Sequence, residues 1–394
     1  MKSTKIFVTV LLTLFFGIMS ANTQITDKVR IHGFGGWGYG KTDGNPYLIG
    51  INEGSFHHSQ LSFNISTNLY EKWAINTQVS LATGYIGDEI KLDFAFGEWA
   101  FSDALKFRMG KVKCPFGIYS EVFDVGTVRP FYALPQAIYG APGIVTKSYF
   151  GIGLTGSYYL QSGWGVRYDL YGGELIFQDW DENFSYEVPI IGTYEVNYKV
   201  TPRSTDMVGG MLILDTPIED LNFGFSCNSG MTNFLMDGEK LEDLGALIED
   251  SGPSIGTARS TIYDVHAEYL FDALSIRTEY MHLEENGELQ LRIDGAYVEA
   301  AVDFLKHFQA AALWDYQNFG FAGLQADLES LFEHKEWAFG LNYWFKPGLV
   351  LKLSYHTIEG NFFARSGGLF EALSGGSVPN RKTNCIVFGT QFSF

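Results

Sequence analysis

The sequence predicts an all-β fold, a transmembrane antiparallel β-barrel of about 16 strands with a long loop folded into it. Three observations predict it. Apolar and polar residues alternate with period two in segment after segment, the pattern of strands whose two faces meet different media. The connections alternate between tight turns and longer loops, which gives a closed sheet one plain rim and one elaborated rim. One stretch, Lys113 to Tyr149, breaks the alternation and is too long for a turn.

The first strand, Val29 to Tyr39, is rich in glycine. In Gln60 to Tyr70, Leu61, Phe63 and Ile65 share one face while Ser62, Asn64 and Ser66 share the other. A tight turn at Glu71-Lys72 leads into Trp73 to Leu81, which repeats the pattern. Ile90 to Phe101 and Leu105 to Lys113 follow; their parity slips near Gly97-Glu98 and near Gly110, where glycine-associated bulges are expected. Beyond the exceptional stretch lie Tyr149 to Leu160, Trp164 to Leu175, Asp206 to Leu214, Leu221 to Met231, Arg259 to Phe271 and Leu274 to Glu284. Leu289 to Phe304, Phe308 to Gln317, Glu336 to Phe345, Leu349 to Ile358 and Thr383 to Phe394 complete the set. The tight connections include Ser102 to Ala104, Gln161 to Gly163, Pro217 to Asp220 and Lys346 to Gly348. Longer loops such as Gly40 to Ser55, Ile176 to Thr205, Thr232 to Ala258 and Glu359 to Lys382 lie between them. An even strand count puts both termini at the short-turn rim.

A soluble sandwich also alternates. The barrel is favoured because isolated charges, among them Arg108, Arg167, Asp264, Glu279 and Lys352, alternate with Leu, Ile, Phe and Tyr. A charge facing lipid costs ~2–4 kcal/mol at the midplane, so one face should be nearly free of charge, and it is. A sheet in lipid must also close, because its edge groups would find no water.

Composition agrees. The 394 residues include 33 Phe, 22 Tyr and 8 Trp, a load that a soluble core of this length would struggle to hide. Net charge is −18, so there is no basic stripe for nucleic acid. The three cysteines, Cys114, Cys227 and Cys385, are odd in number and far apart, and read as incidental rather than as a disulfide framework or metal site. Residues 1–21 read as a secretory leader, with Lys2 and Lys5 before the apolar run Ile6 to Met19 and a small-residue cut near Ser20-Ala21. Residues 22–394 then form a single barrel domain.

Within it, the loop 114–147 carries Pro115, Pro130, Pro135 and Pro142, which exclude a central strand. It is also too apolar to be solvated: Phe116, Tyr119, Phe131, Leu134, Ile138 and Tyr139 need a surface. Folding back into the lumen provides one; a fold over the barrel mouth or a contact between subunits would also do so. Leu241-Leu244-Leu247-Ile248 and Leu324-Leu328-Leu331-Phe332 have helical spacing and suggest short loop helices.

The run Phe107-Arg108-Met109-Gly110-Lys111-Val112-Lys113-Cys114-Pro115-Phe116-Gly117 resembles the segment that leads into the constriction loop of DcaP-like and phosphate-selective (O/P-type) porins of Gram-negative bacteria. Arg129-Pro130-Phe131 to Leu134-Pro135 continues the likeness, and the carboxy-terminal Phe394 is typical of outer-membrane barrels. The resemblance implies a homotrimer in outer-membrane lipid, reached after secretion through the inner membrane. A barrel of this width is too wide for side chains to fill, so a water-filled channel for passive diffusion of small hydrophilic solutes is expected, with no cofactor, no nucleic-acid partner and no catalysis. A channel selective for anions or small organic acids is the alternative, and an adhesin or enzyme barrel a more distant one.

The expected pore-lining charges are Glu121, Asp124 and Arg129 from the loop and Arg108, Arg167, Arg277, Arg292 and Lys352 from the wall. Opposed acids and bases would set up a transverse field that filters solutes. The competing reading is that they pair with neighbours such as Asp169, Glu279 and Asp294. His57-His58 beside Ser59, and His266 beside Asp264 and Glu268, have the residue types for catalysis but lack any supporting motif, and read as solvated histidines. His334, between Glu333 and Lys335, reads as part of a loop charge cluster.

Overall fold

The computed structural model describes residues 29–84, 87–140, 145–176, 180–188, 192–237, 254–287, 290–321, 331–364 and 380–394. The expected leader, the Leu241 to Ile248 segment and most of Leu324 to Phe332 lie outside the described residues.

The strands are β1 (Val29–Thr42), β2 (Gly50–Ile51), β3 (Ser55–Tyr70), β4 (Trp73–Gly84), β5 (Gly87–Ser102), β6 (Leu105–Lys113), β7 (Ser148–Tyr159), β8 (Gly165–Ile176) and β9 (Trp180–Val188). They continue as β10 (Gly192–Asp215), β11 (Leu221–Asp237), β12 (Ser254–Phe271), β13 (Leu274–Asn286), β14 (Leu291–Phe304), β15 (Phe308–Phe321), β16 (Glu333–Lys346), β17 (Leu349–Glu359) and β18 (Lys382–Ser393). The two-residue β2 pairs beside β1, and β9 pairs only with the upper part of β10; the other sixteen are the staves of one closed antiparallel barrel. The seam joins β1 to β18 from Phe34↔Ser393 to Thr42↔Cys385, and Gly33 and Phe394 exchange two backbone hydrogen bonds of 2.9 and 2.8 Å. With this closure no edge strand is left to lipid.

Every expected strand is present. The expected loop from Ile176 to Thr205 is instead a hairpin standing on the rim, in register from Val200↔Trp180 to Gly192↔Val188. Tyr194, Val196, Tyr198 and Val200 alternate with Thr193, Glu195, Asn197 and Lys199, a pattern with strong strand preference that its acidic flanks concealed. The parity slip in β5 falls at Asp93 rather than at Gly97: Gln78 pairs with Phe94 and Val79 with Leu92, leaving Asp93 as the extra residue. The bulge turns its carboxylate inward onto the Gln78 amide (3.0 Å) and the Ser80 hydroxyl.

The outward face is apolar, with Ile152, Leu154, Leu170, Leu212, Val298 and Phe339 all exposed. At the short-turn rim Trp73 stacks on Trp99 (4.9 Å), Trp99 on Phe101 (4.4 Å) and Trp37 lies 5.6 Å from Phe392, an interfacial aromatic belt. One expected wall charge departs from the pattern. In β14 the inward residues are Ile293, Tyr297, Glu299 and Ala301, so Arg292 and Asp294 point outward. Arg292, whose side chain is 62% exposed, pairs with Asp294 at 2.9 Å close to the long-loop rim, where a charge costs far less than at the midplane. Arg292 is therefore not a pore-lining group.

If this outward face meets lipid, Val298→Arg should destabilise the barrel refolded into vesicles by about 2–4 kcal/mol, read by denaturant titration. An unchanged midpoint would contradict the assigned face.

Candidate functional site: a loop pinned inside the barrel

The loop leaves β6 at Cys114 and returns to β7 at Lys147, joined by a backbone hydrogen bond of 3.0 Å at its neck. Between them it makes single 3₁₀ turns at Ser120–Val122 and Gly126–Val128 and one helical turn, α1, at Gln136–Tyr139. It lies against the lumen wall. Phe116, Tyr119, Phe131, Leu134, Ala137 and Ile138 pack in one cluster with Ile262 of β12, Met281 and Leu283 of β13, Ile293 and Tyr297 of β14, and Leu313 of β15. Fully burying a side chain of this size contributes about 1.5–3 kcal/mol, so the apolar content that made a solvated loop untenable is accounted for here.

A loop in a barrel must also satisfy its peptide groups. Gly117 N–H donates to Ser226 Oγ (3.0 Å) and Ile118 N–H to Glu279 Oε1 (2.5 Å). Gln136 and Ala137 N–H donate to the Asp315 carboxylate at 2.6 and 3.1 Å. The hydroxyls of Tyr119 and Tyr139 reach Glu299 (2.5 Å) and Glu279 (2.9 Å). On the far wall the Lys352 ammonium donates to the carbonyls of Gly126 (2.7 Å), Arg129 (2.6 Å) and Phe131 (3.1 Å) and to Gln391 Oε1 (2.7 Å). Asn342 donates to the Pro130 carbonyl at 2.8 Å.

The Pro115-Phe116-Gly117 motif is explained by this docking. Phe116 is a buried anchor, and Gly117 takes a φ of +60°, where a Cβ would stand 2.3 Å from Glu279 Oε1. Small wall residues make the room. A Cβ on Gly295 would approach the Ala137 carbonyl to 2.5 Å, and Ala301, Ala311 and Ala338 complete the cradle.

The expected site residues divide. Lys352 is 1% exposed and holds the loop rather than lining a pore. Arg277 is buried between Glu268 (2.6 Å) and Glu299 (3.4 Å) under the Tyr119 ring. Arg129 folds onto its own loop, donating to the carbonyls of Phe123 (2.7 Å) and Tyr132 (2.9 Å). Arg277 thus pairs with acidic neighbours, as the competing reading expected and as Arg108 and Arg292 do with Asp169 and Asp294, whereas Lys352 and Arg129 bond loop carbonyls instead. Arg108 and Arg167 lie on the wall that the loop leaves uncovered. Arg108 pairs with Glu98 (2.8 Å) and Asp169 (3.5 Å), and Arg167 with Asp215 (2.7 Å), all partly exposed. Glu121 is partly buried at the loop's edge, its carbonyl accepting from the Lys113 ammonium. His334 is not in a loop but buried on the lumen face of β16. The anchors Ser226, Glu299, Asp315 and Asn342 were not singled out in the sequence. For Glu299, Asp315 and Asn342 the only signal is the number of Ala and Gly in β14 to β16; Ser226, on β11, has none.

Asp124 closes the loop's other side. It accepts from Gln60 of β3 (3.1 Å), Gln78 of β4 (3.0 Å) and the Lys147 ammonium (2.6 Å). Burial raises its pKa, but attraction to Lys147, the hydrogen bonds from Lys147 and Gln60, and Lys113 outweigh this and hold it below the usual 3.8. A depressed carboxylate stabilises the folded state above its unfolded pKa, and that contribution is lost as pH falls through the folded value. The loop tip should therefore stay docked from neutral pH down to about 4 and loosen below it. Asp124→Asn should show acid-like open-channel noise already at pH 7; identical traces for the variant and the parent at both pH values would contradict the assignment.

No protein-family model and no curated protein matches the chain. Solved structures do. The outer membrane channel DcaP of Acinetobacter baumannii aligns with a TM-score of 0.56 at 9% identity, over 93% of this chain and 97% of that one. An anion-selective porin from Comamonas acidovorans gives 0.56 at 8% identity, over 93% and 99%. OmpT of Vibrio cholerae, an outer membrane protein in its trimer form, gives 0.52 at 12% identity, over 93% and 99%. The closed sixteen-stranded barrel described above thus has the fold of the outer-membrane porins.

Proposed function

We propose that the chain is an outer-membrane porin, a water-filled channel for passive diffusion of small hydrophilic solutes, in which the loop 114–147 sets the size limit. One observation carries the reading. The loop covers the lumen faces of β12 to β18 and reaches β1, β3 and β4, while partly exposed ion pairs line the opposite wall: Glu98, Arg108, Asp169, Arg167 and Asp215, on β5, β6, β8 and β10. A sixteen-stranded barrel is too wide for side chains to fill. A crescent beside that wall is the natural course for water and solute, with the paired charges giving a polar lining. Arg108, Arg167 and the rim residue Glu121 are the groups we assign to it.

Selectivity for anions or small organic acids is the second reading, supported by the likeness to an anion-selective porin and by Arg108 and Arg167. Homotrimeric assembly rests on the trimer form of the OmpT neighbour. An enzymatic role finds little support. His58 lies edge-on against Tyr132, and His266 is bonded to Asp264 at 2.6 Å. Ser354 Oγ, His356 and Glu336 do form a hydrogen-bonded chain of the serine–histidine–acid type, but all three are buried beneath the loop, with Phe131 packed against His356. A nucleophile sealed from solvent has no substrate.

Planar-bilayer recordings test the proposal. A steady ohmic conductance is expected, rising roughly twofold or more when residues 119–141 are deleted, and Arg108→Glu with Arg167→Glu should move the reversal potential in a salt gradient toward cations. A folded barrel without conductance, or one indifferent to the deletion, would overturn it.

A further inference from the structure

We propose that Asp315, His334 and Glu336 form a binding site for a divalent transition-metal ion, with Zn²⁺ as its test ligand, at the point where α1 docks on the wall. One ligand atom from each lies within 4.8 Å of those of the other two, and all three side chains are buried.

Three features point to an ion. First, Asp315 and Glu336 are directly opposite each other across β15 and β16. Like charges in that position repel, and two carboxylates withdrawn from water are costly unless a positive group or a metal ion stands between them. Second, His334 is fully buried, and neither of its ring nitrogens makes a hydrogen bond among the described residues. Its Nε2 stands 3.6 Å from Asp315 Oδ2 and 3.4 Å from Glu336 Oε2. Those separations are long for hydrogen bonds. They match the spacing of ligand atoms around a tetrahedral ion held at about 2.0–2.2 Å, which is about 3.4 Å. Third, the outer contacts orient the ligands as metal sites require. The loop's Gln136 and Ala137 N–H groups fix the Asp315 carboxylate, while Tyr47 Oη and His356 Nδ1 donate to Glu336.

The same barrel supplies a contrast. Asp264, His266 and Glu279 are also buried, with one ligand atom of each likewise within 4.8 Å of the others. There, however, His266 Nδ1 makes an ordinary hydrogen bond of 2.6 Å to Asp264 Oδ1, so the imidazole already has a partner, although Asp264 Oδ2 has none among the described residues. One imidazole and two carboxylates suit Zn²⁺, Mn²⁺ or Fe²⁺ better than an alkaline-earth ion. Bound there, the ion would tie together the carboxylate that holds α1 and the two neighbouring strands.

Because the site is buried, loading belongs with folding. The full chain is refolded into detergent with Zn²⁺, passed over a chelating resin and analysed for metal, with heat-modifiable gel mobility confirming that each sample is a closed barrel. The proposal expects about one ion per chain to be retained, at least tenfold less in His334→Gln and in Asp315→Asn, and full retention in His266→Gln. Two variants guard against one failing to fold. Retention below a tenth of an equivalent in the parent chain, or equal retention in a folded His334→Gln or Asp315→Asn, would overturn it.

Discussion

A chain segment can lie inside a barrel only if its peptide groups find partners there, and this requirement shapes the whole lumen. The wall meets it with a few buried charged groups. Lys352 gathers three loop carbonyls, Asp315 receives two N–H groups, and Glu279 takes a third N–H and a tyrosine hydroxyl. Each side depends on the other: a lysine or carboxylate buried without partners is unstable, as is a loop carbonyl without a donor. Removing one partner therefore costs more than the bond itself, because its mate stays buried.

Packing adds direction to this pairing. The wall from β12 to β16 presents Ile262, Met281, Leu283, Ile293 and Leu313 inward, where a plain channel would be polar, and small residues beside them admit the loop backbone. These strands are apolar on the outward face and present a mixed face to the loop, apolar side chains interspersed with buried polar anchors such as Glu279, Glu299 and Asp315. The opposite wall keeps its charges paired across neighbouring strands and open to solvent. The lumen is thus divided into a half packed by the loop and a half whose ion pairs stay partly exposed.

Much of this was legible in the sequence. The strands follow from period-two patterning, a local signal, and the alternation of turns and loops from the lengths of the gaps between them. The exceptional stretch announced itself through proline and unburied aromatics. What the sequence could not resolve was which inward charges face water and which face the loop. Lys352 and Arg108 look alike in a pattern of alternation; only the loop's path separates them, and that is a long-range fact. Arg292 was misread because charge was equated with lumen, a rule that fails at the rim. His334 was misread because its charged neighbours Glu333 and Lys335 suggested a solvated loop, although its own position on β16 is inward. The β9–β10 hairpin was hidden by acidic residues despite its Tyr and Val alternation.

The account stands on the loop's seat inside the barrel, and disulfide trapping tests this most directly. The position of a Cβ on Gly126 falls 2.2 Å from the amide carbon at the end of the Gln391 side chain, so the two positions face each other where the loop meets the wall. In a chain with Cys114, Cys227 and Cys385 replaced, Gly126→Cys with Gln391→Cys should oxidise to a cross-linked form that migrates differently on a non-reducing gel. A correctly folded barrel in which both thiols stay free would place the loop elsewhere and contradict the central claim.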